Sequence, residues 1–128
     1  MSNVNKLINA VNNEDIESMS EILNVNDFDI NDKNEDGWNA LMFAVDTDNL
    51  EIVRFLVSEG GANIYHKDND QWQPIHLASW KASIKIVRYL VQQGSNLKAV
   101  TSEGRTPLDL ATNYNDKNVI KYLNGLTP

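Results

Sequence analysis

The sequence predicts an all-α solenoid, a side-by-side stack of about four helix-turn-helix repeats joined by β-hairpin-like turns. Three observations predict it. Apolar, small and turn positions recur every 33 to 34 residues, which sets Ala44, Ala78 and Ala111 in one register. Each period holds two short segments whose apolar residues follow helical spacing. Prolines, polar capping residues and glycines stand where such helices must begin and end.

The period is visible by direct superposition. GWNALMFAV (37–45), QWQPIHLAS (71–79) and GRTPLDLAT (104–112) align position by position. LEIVRFLVSEG (50–60) lies over IKIVRYLVQQG (84–94), and VIKYLN (119–124) forms a shorter third copy. A step back of 34 residues places Ala10, Ile16, Ile22 and Ile30 on Ala44, Leu50, Leu56 and Ile64, so a degenerate copy precedes the others. The expected units are 2–35, 36–69, 70–102 and 103–128 in a single domain over 1–128, with the first and last as caps.

Each unit has a physical rationale. Pro74 and Pro107 suit a first helical turn, where the missing N–H has no partner to lose, and Asn39 and Thr106 can cap the amides beside it. Asp36-Gly37 and Glu103-Gly104 are turn signals, and Gly60 and Gly94 fall where the second helix should end in a left-handed residue. Helices this short are marginal alone and must be held by stacking. Leu41, Ala44 and Val45, then Ile75 and Ala78, then Leu108 and Ala111 supply the apolar face of the first helices. Ile52, Val53, Leu56 and Val57, with Ile86, Val87, Leu90 and Val91, supply that of the second.

QPIHLA (73–78) and TPLDLA (106–111), at this period, resemble the T-P-L-H-x-A element of the ankyrin-repeat family, and NALMFA (39–44) is a degraded version. The resemblance covers nearly the whole chain. There are departures: Ala40 and Met42 replace the usual Pro and His, Gln71 replaces a turn glycine, and Gly61 is inserted relative to QQGSN (92–96). An irregular hairpin is therefore expected in the second repeat.

Composition narrows the function. With no cysteine and only His66 and His76, thiol chemistry is excluded and no metal site is predicted. Residues 1–64 carry three basic against thirteen acidic side chains and residues 65–128 eight against five, within a net charge of −7. Such a balance disfavours nucleic acid and suits a partner protein with a basic surface facing the acidic N-terminal half. Because no secretory signal and no run of ~18 apolar residues is present, the expectation is a soluble cytoplasmic protein that does not bind a membrane.

No catalytic constellation emerges, and neither an enzyme nor a cofactor is expected. The glycines form no phosphate loop, and no serine or threonine has a neighbouring base. Asp46, Asp48 and Glu51 lack the spacing of a calcium loop and suit the start of a helix. The resemblance gives His76 a structural role, hydrogen-bonded to neighbouring loop backbone, while His66 is expected on the surface.

The resemblance also implies a binding face made of turn tips and first helices. Carried over, its contact positions are Glu35, Asp36, Trp38, Asp46 and Thr47, then Asn69, Asp70, Trp72, Trp80 and Lys81, then Ser102, Glu103, Arg105, Asn113 and Tyr114, with Lys33, Lys67 and Val100 before the turns. All three tryptophans fall in this set. Helix geometry agrees: at ~100° per residue Trp80 lies about 140° from Ile75, off the core stripe, and Trp38 and Trp72 precede their helices. Two arrangements satisfy the pattern, indoles lying across the next repeat or an exposed aromatic patch rimmed by charge.

The expected function is protein binding that masks, inhibits or neutralises a partner, by a monomer when free. Small stand-alone ankyrin proteins of the myotrophin type are similar in build, and an immunity-like protein is equally compatible. The alternatives are an adaptor bridging two proteins and a bacterial effector targeting a host protein.

Overall fold

The computed structural model describes residues 3–24, 28–113 and 115–126. Among these, eight helices follow one another in four pairs: α1 (Asn3–Asn12) and α2 (Ile16–Leu23), α3 (Ala40–Asp46) and α4 (Leu50–Ser58), α5 (Pro74–Trp80) and α6 (Ile84–Gln92), α7 (Pro107–Ala111) and α8 (Lys117–Leu126). No β-strand is present among the described residues.

Local chemistry sets the helix starts. Asn39 and Asn49 accept the Met42 and Ile52 amides at 3.1 and 3.2 Å. Thr106 and Asp109 form a reciprocal capping box at 3.2 and 3.0 Å. Within each pair the chain reverses through one left-handed residue: Glu14, Asp48, Ala82 or Asn115, with φ between 51° and 58°. None is glycine; Asp48 and Asn115 are types that tolerate this conformation, while Glu14 and Ala82 carry strain that packing must hold. The next amide in three of these turns returns to an alanine carbonyl: Asp15 to Ala10, Asn49 to Ala44, Ser83 to Ala78. These alanines thus anchor the turn as well as allowing close helix approach.

First helices pack in the order α1, α3, α5, α7, and second helices α4, α6 and α8 pack likewise. Between the layers lies one core containing Leu7, Leu41, Ile75, Ile52, Leu56, Ile86, Leu90 and Leu123, with Ala44, Ala78 and Ala111 buried where the first helices meet. A fully buried aliphatic side chain contributes roughly 1.5–3 kcal/mol, which short helices obtain only from neighbouring repeats. In the last first-helix Leu110 is buried, whereas the expected Leu108 is half-buried.

Two expectations are corrected. The second repeat's hairpin is regular: Asn34 N–H to Trp38 O, Asp68 N–H to Trp72 O and Thr101 N–H to Arg105 O each measure 2.9 Å. The departure lies instead at the end of α4, where the inserted Gly61 takes the left-handed conformation (φ 70°) expected of Gly60; Gly94 takes it (φ 99°) after α6 as expected. Gln71 adopts φ 66° in place of the missing turn glycine, so side-chain identity changes the strain and not the turn.

Successive hairpin tips are tied to one another. Asn69 N–H donates to Asp36 O at 3.2 Å and Ser102 N–H to Asp70 O at 2.9 Å. On the opposite side, Arg54 lies over the Tyr89 ring at 5.4 Å and Arg88 over Tyr122 at 5.1 Å, the same contact repeated one unit on.

Candidate protein-binding face

One residue at the mouth of each hairpin positions the face. Asn34, Asp68 and Thr101 occupy equivalent places, and each side chain accepts the amides two and four residues later. For Asp68 these are Asp70 N–H at 2.9 Å and Trp72 N–H at 2.8 Å, both on Oδ1. Its other oxygen, Oδ2, accepts the Trp38 indole N–H at 3.2 Å from the preceding hairpin. Asp68 therefore fixes two tryptophans, one through its backbone and one through its ring.

The indoles are further constrained by rings. Trp38 meets Phe43 edge-on at 5.0 Å. Trp72 meets Trp80 in a T-shaped pair, 6.1 Å apart at 78°, and also contacts His76 at 6.3 Å. All three tryptophans are half-buried, and Trp38 and Trp72 rest partly on the core. The two sequence-level arrangements are thus combined: each of these two rings covers its own stack and also leaves surface to solvent.

That surface is a hollow of about 490 Å³ lined by Trp38, Trp72, Trp80 and Leu77 with Asp46, Asp68, Asp70 and Glu103. Lys81 pairs with Asp46 at 3.2 Å at its edge, and Arg105 approaches Glu103 at 3.9 Å. Asp68 and Asp70 have no ion pair among the described residues.

The remaining expected contact positions separate. Lys33, Glu35 and Asp36 border a different hollow beside α1. Asn69 is structural, its side chain donating to Glu35 O at 2.7 Å. Thr47 is exposed and returns its hydroxyl to Ala44 O at 3.0 Å. Lys67 is exposed outside both hollows, and Tyr114 lies outside the described residues. Asp68 and Leu77 belong to the indole-lined hollow without having been expected there. Alignment of Asp68 with Asn34 and Thr101 was the available signal.

Both histidines are structural. His76 is fully buried; its Nδ1 accepts Gln73 N–H at 2.9 Å, so Nε2 carries the proton donated to Ala99 O at 2.9 Å. Burial lowers its pKa below the usual 6.5, only partly opposed by the Ala99 carbonyl. His66, expected on the surface, is half-buried there, and its Nε2 donates to Gly37 O at 2.8 Å, joining the second repeat's hairpin to the next. Among the described residues no group of three or more His, Asp or Glu could hold a metal ion, and no helix is long and apolar enough to cross a membrane.

A family model of ankyrin repeats in three copies matches residues 7–101, and the chain belongs to the ankyrin-repeat family. Comparison with curated proteins gives no match. Ankyrin repeats are generally protein–protein interaction modules, and the family is typically non-enzymatic.

Proposed function

We propose that this chain is a non-enzymatic module that binds a partner protein through the face carrying Trp38, Trp72 and Trp80, and that binding itself masks or inhibits the partner. The observation that carries the proposal is the indole-lined hollow, assembled from three repeats and rimmed by charge. Aromatic anchors inside a polar rim are the composition of interface centres. The partner is expected to present a basic surface, and the module to act as a cytoplasmic monomer when free.

Affinity capture from the native cell extract, with wild type beside a Trp72→Ala/Trp80→Ala double variant, tests it. A protein retained by the first and lost by a folded second supports this face, each indole accounting for ~2 kcal/mol or more. Normal capture by the folded double variant refutes it.

A second reading, an adaptor, draws on the separate hollow bordered by Asp32, Lys33, Glu35 and Asp36. A second protein held there at the same time, seen as a ternary complex by light scattering, would favour bridging. One partner at saturation favours masking.

A further inference from the structure

We infer that the hollow between Trp38, Trp72 and Trp80 receives a single arginine side chain of the partner, its guanidinium stacked on indole and forked onto the Asp70 carboxylate. The inference deepens the proposed function and rests on that face being the one used.

Two independent properties of the hollow point to a cation. Its walls are indoles, the aromatic ring that attracts cations most strongly, and Trp72 and Trp80 stand at 78° to one another, so the wall is a corner and not a flat plate. Its rim is acidic, and among its carboxylates Asp46 and Glu103 already face Lys81 and Arg105, whereas Asp70 is exposed with a side chain that meets no cation among the described residues. An uncharged apolar occupant would leave the Asp70 carboxylate facing it unpaired. An anion would be repelled.

Arginine fits this combination better than lysine. Guanidinium is planar and weakly hydrated, stacks on aromatic faces, and presents a fork that matches one carboxylate, whereas an ammonium is a compact, strongly hydrated point charge. The chain itself uses arginine in this way on its other side, where Arg54 and Arg88 lie over Tyr89 and Tyr122 at 5.4 and 5.1 Å. The hollow is also set before a ligand arrives: Asp68 holds Trp38 by its indole N–H and Trp72 by its amide, which lowers the ordering cost of binding.

Tryptophan emission of the full chain, titrated with blocked arginine amide, separates the outcomes. Controls are blocked citrulline amide, an uncharged isostere, and blocked lysine and trimethyl-lysine amides. A saturable change is expected with arginine, about tenfold tighter than with citrulline and weakened severalfold by salt. Asp70→Asn should weaken arginine binding about fivefold without changing the circular dichroism, since this exposed side chain supports no fold contact, and Trp72→Ala provides a second variant. Equal binding of citrulline, tighter binding of trimethyl-lysine, or no effect of Asp70→Asn overturns the inference. If arginine does not bind but Trp72→Ala/Trp80→Ala still loses the captured partner, the protein-binding face stands and only the arginine assignment fails. If arginine binds and the double variant captures normally, the face itself is not the one used, and the inference falls with it.

Discussion

The Trp38 indole and the Asp68 carboxylate meet at 3.2 Å between successive hairpins, and that carboxylate also accepts the Asp70 and Trp72 amides. Asp68→Asn can keep its oxygen on the amides but turns an NH₂ toward the indole donor. It is expected to cost ~0.5–1.5 kcal/mol, and Asp68→Ala, which abandons all three donors, ~1–3 kcal/mol. Urea unfolding monitored by tryptophan emission should place the midpoints in that order.

Ala78 is completely buried between first helices, and its carbonyl holds the following turn through Ser83 N–H. Ala78→Leu is expected to destabilise by ~1–3 kcal/mol through overpacking. An unchanged melting temperature would contradict the stacking register.

His76 gives the fold a pH dependence. Its neutral form satisfies both ring nitrogens, and protonation at Nδ1 would set a donor against Gln73 N–H. Because its folded pKa lies below the unfolded value of 6.5, the unfolded state binds the proton first. Stability from this residue is therefore fully present above about pH 6.5 and lost as pH falls toward the folded pKa. Urea midpoints between roughly pH 7.5 and 5.5 should fall in wild type and flatten in His76→Gln, and the ring's NMR titration should lie below that of a denatured control.

Gly37 and Gly104 separate conformational strain from contact. Both are left-handed, at φ 81° and 77°, but an added Cβ at Gly37 meets Asn69 Oδ1 at 2.6 Å and Asn69 N at 2.7 Å, while at Gly104 it meets nothing within 4 Å. Gly104→Ala is expected to cost ~1–2 kcal/mol from backbone strain alone. Gly37→Ala should cost ~1–3 kcal/mol more, because the tip of the next hairpin must move. Thermal melts of the two variants give the difference directly.

Much of the fold was legible because the period brings apolar spacing, caps and turns into one register. Pro74 at a helix start, Asn39 and Thr106 as caps, and Ala44, Ala78 and Ala111 at the crossings all follow from residue type. Left-handed Glu14 and Ala82 were not legible, since nothing in those side chains asks for positive φ and the helix pairing imposes it, whereas Asp48 and Asn115 are residue types that tolerate it. The same limit applied to Gly60, whose role passed to its inserted neighbour.

At the face, helix geometry removed the tryptophans from the core stripe but could not say that one carboxylate would join Trp38 to Trp72. That link depends on contact between residues 30 positions apart in two successive hairpins, and no single hairpin contains it. The bond that holds His66 was hidden for a similar reason: its partner, Gly37 O, lies 29 positions away in the preceding hairpin.

The indole-lined hollow draws its walls from three successive repeats, so its chemistry is written on their boundaries. Exchanging one repeat for another could preserve the tip-to-tip bonds and the stack while dismantling the hollow. In this architecture the unit of construction is the repeat, and the unit of recognition is the junction.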